Sequence, residues 1–352
     1  MYLWNSWYVA AWSRDVADRP VARTMLDQRV VLFRRADGSV AVLEDRCPHR
    51  HLPLSMGKVV EDGVQCGYHG MIFGEDGRCL SAPSQSFAPP TARVRAFPAL
   101  ERYGWVWVWM GEPERADQRL VPDLGLLDDP ARAVVGKTNH VRSAYRLVTD
   151  NLMDLSHVGY VHTSTIGNAA FGEKGKLTVA RTERGVRATR LVPDVPQPPL
   201  YSRSGQLPAG AALDRFSIID FIAPCFVLIH TGGAEAGTGA LEGRYEHGLN
   251  LWVVNAMTPE TATTTSYHWA SVRAHAIGDA DADLLFFDGV SEAFEEDRAV
   301  LEAQQQVINE RGDSWTVALK ADAAAIEARR VLDRLIAEER ASVASARAAA
   351  AV

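Results

Sequence analysis

The stretch CPHRHLPLSMGKVVEDGVQCGYHGMIFGEDG, residues 47–77, places two cysteines and two histidines in the pattern C-x-H-x16-C-x2-H. Cys47 and His49 form one half of the set, and Cys66 and His69 the other. Each half lies among turn formers: Pro48 in the first, Gly67 and Gly70 in the second. Two loops of this kind, each at the end of a hairpin, can present one thiolate and one imidazole apiece to a shared centre. Two centres use that donor set. One is a tetrahedral Cys2His2 zinc site. The other is a Rieske [2Fe–2S] cluster, in which two histidines replace two cysteines on one iron. The single residue between Cys47 and His49, and the tight glycine loops, favour iron and sulfur, because such loops bring backbone N–H groups towards the cluster sulfurs.

The flanking sequence is rich in short strands and turns. WYVAAW (7–12), RVVLFRR and SVAVLED around the turn ADG, and GVQCGYHGMIF and GRCLSAP around GEDG all read as strand and hairpin signals. YGWVWVWMG alternates valine with Trp105, Trp107 and Trp109, which suits a strand with one aromatic face. The polar, proline-containing GEPERADQRLVPD that follows reads as a linker. The boundary is drawn near residue 115, giving an all-β domain over 1–115 and a second domain over 116–352.

The second domain combines β-rich stretches (DRFSIIDFIAPCFVLIHTG, HGLNLWVVNAMT, ATTTSYHWASV) with helical ones. The fold class expected for the chain is α+β, with an antiparallel sheet in the second domain. A helix is expected from about Asp281 to Asn309 and another after Ala321.

The chain has 352 residues, 47% of them hydrophobic, which is enough for two cores. A net charge of -7 without a Lys/Arg block argues against nucleic acid as a partner. No apolar run reaches membrane-spanning length, and MYLWNSWYVAAWSRD lacks the features of a signal peptide, so a cytoplasmic protein without membrane attachment is expected. The four cysteines are too few and scattered for a disulfide framework, and Cys79 and Cys225 read as small buried hydrophobes.

A second constellation lies in NLMDLSHVGYVH, residues 151–162, which carries Asn151, Asp154, His157 and His162 in an apolar setting. On an undistorted helix the two histidines diverge by roughly 140°. They can meet only if the helix breaks or ends between them, and Gly159 is the expected place. Two histidines and one carboxylate on one face of a metal form the O2-activating non-haem iron site. The H-E-x-x-H zinc motif is excluded by the spacing and by the missing glutamate.

The carboxylate is sought by helical phase in FFDGVSEAFEEDRAVLEAQQQVI. Phe287, Val290, Phe294, Leu301 and Ile308 define a core stripe, and Asp297 lies within about 20° of Val290. Glu295 and Glu296 point away from that stripe. A carboxylate in such a position is costly unless paired or metal-bound. Asp297 is the expected third ligand, with a buried pair to an arginine as the alternative. Asn151 is expected to line the same pocket. Asn255, His268 and Trp269 lie on strands that could face it and are candidate substrate contacts.

The CPHRHLPLSMG and CGYHGMIFGEDG segments resemble the Rieske domain of the Rieske non-haem iron oxygenases, and NLMDLSHVGYVH resembles their mononuclear-iron motif. Together with WYVAAW, the pattern is most similar to the oxygenase components of the vanillate O-demethylase group. The resemblance implies a catalytic domain of helix-grip, START-like form. It implies a Rieske cluster held by Cys47, His49, Cys66 and His69, and a mononuclear Fe(II) held by His157, His162 and Asp297.

The resemblance further implies a head-to-tail homotrimer in which Asp154 couples His157 to His69 of the partner subunit. Electrons would come from NAD(P)H through a separate reductase, with or without a ferredoxin. The implied reaction is O2-dependent removal of an O- or N-methyl group from an aromatic compound, an aromatic acid being favoured. Ring hydroxylation or dihydroxylation by the same two sites is the alternative reaction. A Rieske electron-transfer protein is the alternative outside the enzyme class, since it would need only the first site.

Overall fold

The computed structural model describes residues 2–350 except 62, 169, 172, 173 and 313–316. The chain divides into two compact units, Met1–Leu124 with Thr258–Ala262, and Gly125–Met257 with Thr263–Val352. Residue 115 lies in the first unit, among the short 3-10 turns Pro113–Arg115 and Gln118–Leu120.

The first unit is built from three small antiparallel sheets. In one, Trp105–Trp109 is the central strand between Trp7–Trp12 and Ala99–Arg102. Trp7 pairs with Trp109 and Trp12 with Trp105, and both indole pairs meet edge to face, at 5.5 and 5.4 Å. All five residues of the central strand are buried, valines as well as tryptophans. The strand therefore packs on both faces, the tryptophans on one and the valines on the other.

The second sheet contains Gln28–Arg34 and Val40–Glu44, paired as the ADG hairpin predicts, with Arg34 opposite Val40. The third is a meander of Lys58–Val60, Gly63–Gln65, Ile72–Phe73 and Cys79–Ser81. Val31, Phe33, Leu43, Val64 and Phe73 fill the space between these last two sheets, and Cys47 and Cys66 belong to that same core.

The second unit is organised on one seven-stranded sheet. Its order is Ala133–Val141, Thr264–Arg273, Leu249–Thr261, Phe226–Glu235, Leu213–Ile222, Gly185–Val195 and Lys176–Arg181. The last six of these strands follow one another as a meander. The first strand closes the other edge by pairing antiparallel to Thr264–Arg273. The helices Tyr145–Met153, Ala280–Arg311 and Ala323–Ala350 belong to this unit.

Ala280–Arg311 begins at Asp279, whose side chain accepts from the N–H groups of Asp281 and Ala282, and Asp281 and Asp283 favour the positive end of the helix dipole. Its buried stripe is Phe286, Val290, Ala293, Phe294, Asp297 and Leu301. Phe287 and Ile308 fall on its half-buried margin, so the stripe is rotated slightly from the expected one. Phe294 packs on Tyr267 and Trp269 of the sheet. Among the described residues, no helix is long and apolar enough to cross a membrane.

Candidate active site

Two loops carry the first constellation, and they repeat one geometry. Cys47 N–H donates to the Leu52 carbonyl and His51 N–H to the Cys47 carbonyl, both at 2.9 Å. In the second loop Cys66 N–H donates to Met71 at 2.8 Å and Gly70 N–H to Cys66 at 3.1 Å. The residue four after each cysteine takes a left-handed backbone, His51 at φ +61° and Gly70 at φ +75°. Gly67 lies so near the first loop that a Cβ would stand 2.9 Å from the Met56 carbonyl oxygen. Asp45, buried, holds the 54–56 turn by accepting from the Ser55 N–H and hydroxyl, both at 2.7 Å.

These loops bring the donors together. Cys47 and Cys66 are buried and free of disulfides, whereas His49 and His69 are exposed, with ring centroids 4.4 Å apart. Burial, with the Cys66 sulfur alongside, pushes the Cys47 thiol up. A buried sulfur pair of this kind ionises readily only when a metal supplies positive charge. The donor set fits a cluster with sulfur ligands inside and imidazole ligands at the surface.

The second constellation is assembled from more distant parts of the chain. Helix Tyr145–Met153 ends at Asp154, whose backbone is extended, and a single helical turn, Val158–Val161, follows. His157 precedes that turn and His162 follows it with φ -107° and ψ 32°. The break falls at Asp154–Ser156 rather than at Gly159, which lies buried inside the short helix. The Asp154 carboxylate accepts from the Ser156 N–H at 2.8 Å and hydroxyl at 3.0 Å, which stabilises this break. Gly167 is required here as well, because a Cβ would stand 1.8 Å from the Val158 carbonyl oxygen.

With the helix broken, the two imidazoles converge. Their Nε2 atoms stand 3.2 Å apart. Asp297 Oδ1 is 3.1 Å from Nε2 of His162 and 3.5 Å from Nε2 of His157. Two ligand atoms about 2.1 Å from one metal stand about 3.0 Å apart at a right angle and about 3.4 Å apart at a tetrahedral angle. Two of the observed spacings fall inside that range and the third, 3.5 Å, lies just beyond its upper end.

The Nδ1 atoms are held from behind. His157 Nδ1 lies 2.5 Å from the Asp154 carbonyl oxygen and His162 Nδ1 2.7 Å from Glu296 Oε2. With Nδ1–H donated on each ring, the Nε2 lone pairs face the metal position. Asn151 Nδ2 donates to Asp297 Oδ1 at 2.9 Å, fixing the carboxylate. Burial dominates His157 and lowers its pKa despite Asp297. Burial also acts to lower His162, but Asp297 and Glu296 outweigh it and the pKa is raised.

Several expectations need correction. Among the described residues no arginine pairs with Asp297; its neighbours are the two histidines and Asn151. Glu296 does not point away from the site: it accepts from Thr165 at 2.9 Å and Ser164 at 2.7 Å as well as holding His162. Its carboxylate reaches round the helix, and its place beside Asp297, opposite hydroxyls that follow His162, was the available signal. Asp154 meets His157 through its main-chain carbonyl, with its carboxylate turned to Ser156.

Asn255, His268 and Trp269 do not line the cavity at this site. Asn255 is fully buried and bonded to the Val227 carbonyl and the Tyr267 hydroxyl. His268 Nδ1 is 2.8 Å from the Thr138 hydroxyl, and Trp269 packs against Phe287 and Phe294. All three serve the sheet and its packing.

The cavity is about 90 Å³, several times what one water needs. Its floor comes from three strands: Arg215 and Ser217, Ile229 and Thr231, Leu251 and Val253. Register explains the grouping, since Ser217 lies opposite Thr231, Thr231 opposite Leu251, and Ile229 opposite Val253. The helix contributes Val290, Ala293, Phe294 and Asp297, and the broken segment Leu152, Leu155, His157, Val158 and His162. Apolar side chains thus surround one face of the His157, His162 and Asp297 triad.

Residues 6–98 match the Rieske [2Fe-2S] domain, and residues 141–338 match the vanillate O-demethylase oxygenase C-terminal domain. The chain belongs to the vanillate O-demethylase family of Rieske oxygenases. It is similar to the vanillate O-demethylase oxygenase subunit of Pseudomonas sp. (strain HR199 / DSM 7063), with 36% identity across 96% of each chain. Similarity extends to a toluene-4-sulfonate monooxygenase system iron-sulfur subunit of Comamonas testosteroni, at 34% identity over 96% of this chain and 98% of the relative. Among solved structures, dicamba monooxygenase bound to 3,6-dichlorosalicylic acid superposes with a TM-score of 0.90 and 32% identity, covering 97% of this chain and 99% of the other. This Rieske oxygenase is therefore an oxidoreductase component with an all-β Rieske domain and an antiparallel-sheet catalytic domain, as its resemblance implies.

Proposed function

We propose that this Rieske oxygenase is the terminal component of a multicomponent monooxygenase that demethylates an aromatic acid. The observation that carries the proposal is one apolar cavity bordered by a triad of two histidines and a carboxylate, His162 and Asp297 buried and His157 half-buried. The triad alone would also suit zinc. A redox-active Rieske domain in the same chain favours iron, and dicamba monooxygenase has been crystallised with non-haem iron. We assign Cys47, Cys66, His49 and His69 to the cluster and His157, His162 and Asp297 to the mononuclear iron. Residues 1–115 are proposed as the electron-receiving domain and 116–352 as the catalytic one.

Iron bound at the triad would supply O2 activation, with electrons delivered one at a time from the cluster. The protein's own groups do the positioning. Asp154 carbonyl and Glu296 fix the imidazole tautomers, Asn151 fixes Asp297, and the aliphatic walls exclude water and seat an aromatic ring. The overall change is R–O–CH3 + O2 + NAD(P)H + H+ giving R–OH + HCHO + H2O + NAD(P)+. The hydroxylated methyl carbon is a hemiacetal, or a carbinolamine for an N-methyl group, and collapses to formaldehyde without further oxidant.

A separate NAD(P)H-dependent reductase, with or without a ferredoxin, is proposed as the electron source. The exposure of His49 and His69, beside exposed Tyr68, supports a face at the cluster edge that another protein chain covers. We further propose a homotrimer in which Asp154 faces His69 of the partner subunit, in the cytoplasm. The relatives' named substrates, vanillate and toluene-4-sulfonate, are aromatic anions, which supports an aromatic acid here.

The test is reconstitution with a Rieske reductase, NADH and O2 over a panel of methoxylated and N-methylated aromatic acids. Formaldehyde in proportion to O2 consumed supports demethylation. A ring-hydroxylated product without formaldehyde would replace it with the hydroxylase reading.

A further inference from the structure

We infer that Arg215 is the residue that recognises the anionic group of the substrate, an inference that rests on the aromatic-acid reading above. Arg215 lies on strand Leu213–Ile222 and lines the same cavity as the triad. It is 3% exposed and carries a permanent charge. Among the described residues no carboxylate pairs with it. Nη2 donates to the Ile166 carbonyl at a long 3.3 Å, and among the described residues Nε and Nη1 have no acceptor. A buried cation with two open donors is costly to keep, and a partner that arrives with the ligand resolves the cost.

The setting is that of an oriented group rather than a stray side chain. The guanidinium carbon lies 4.3 Å from the Phe171 ring centroid and 4.7 Å from that of Tyr201. With two aromatic rings beside the guanidinium and the Ile166 carbonyl on one nitrogen, the group is held in place while two of its donors stay open to an acceptor. The rest of the lining offers few competitors. Ser217 and Thr231 are bonded to each other at 2.9 Å, and Thr231 also donates to the Phe216 carbonyl. The remaining surface near the triad is aliphatic and aromatic. One cation in an apolar cavity that also holds the metal ligands defines an orientation: carboxylate or sulfonate towards Arg215, methyl group towards His157, His162 and Asp297.

A purely structural role for Arg215, through its ring contacts, makes a different forecast, so binding separates the two. Equilibrium binding of 4-methoxybenzoate, its methyl ester and benzoate is measured on the holoenzyme and on Arg215→Gln and Arg215→Lys. The wild type is expected to bind both acids more tightly than the ester. Arg215→Gln should weaken the acids about a hundredfold, the loss of one partner of a buried charge pair. It should leave the ester nearly unchanged, and Arg215→Lys should recover part of the loss.

Equal weakening of acid and ester, unchanged acid binding, or a wild type that binds no aromatic anion would each overturn the assignment. The wild-type preference for acid over ester tests it even if the variants fold poorly. Arg215-dependent benzoate binding without formaldehyde from any methoxy compound would keep the anchor and sink demethylation. Formaldehyde from the ester without acid binding would do the reverse.

Discussion

The two proposed metal-ligand sets of this Rieske oxygenase are built in opposite ways. The first comes from two short loops that repeat one backbone pattern, each held by its own hydrogen bonds and joined to the other within 23 residues, from Cys47 to His69. The second gathers its members from a broken helix and from a long helix more than a hundred residues away, Asp297 lying 135 positions after His162. A locally closed site depends on turn chemistry. A site assembled at long range depends on the packing of the whole unit and on side chains that support the ligands. The difference can be tested from either end.

The largest effect is expected at the local site. Cys66→Ser removes a proposed ligand and places a hydroxyl in the core shared by Val64 and Phe73, so the visible absorbance of the cluster should vanish and turnover with it. Retention of a wild-type spectrum would show that Cys66 is not a ligand. At the long-range site, Glu296→Gln keeps the side chain's size but loses the charge that orients His162. Iron affinity at the triad is expected to fall about 10- to 100-fold, with the cluster spectrum unchanged. Titration of iron into triad-depleted protein checks this, and undiminished affinity would reduce Glu296 to a helix-face residue.

Smaller effects should separate the two loops of the first site. Gly70→Ala meets a left-handed backbone and a Pro83 Cγ 3.2 Å from the new Cβ, and is expected to cost about 1–2 kcal/mol in denaturant unfolding of the first unit. His51→Gly, at the matching position, relieves a non-glycine left-handed residue while loosening the unfolded chain. Its net change is expected within about 1 kcal/mol. Equal costs for the two variants would mean that the loops are not equivalent in the way their hydrogen bonds indicate.

The same contrast explains what could be read from the sequence. Cys47, His49, Cys66 and His69 are legible because their spacing is the site: the turn residues and the ligands lie in one string. Asp297 is legible because a charged residue interrupts a helical stripe. Glu296 is not, since helical phase gives the direction of a Cβ and a glutamate can reach round the helix to His162. The location of the break before His157 also escapes the sequence. Gly159 is the conspicuous breaker, but the turn is made by Asp154 and Ser156. Arg215 looks like any strand arginine until its neighbours in the folded sheet are known, and Asn255 and His268 look like pocket residues until their buried bonds are seen.

The central claim is that one chain carries two different iron sites. Its most direct test is metal content by mass spectrometry, combined with EPR of the reduced protein, on the wild type and Asp297→Ala purified anaerobically. About three irons are expected per wild-type chain and about two in the variant, with the same low-average-g signal of a histidine-ligated cluster in both. Zinc in place of iron, or a variant that keeps the full iron content of the wild type, would contradict it.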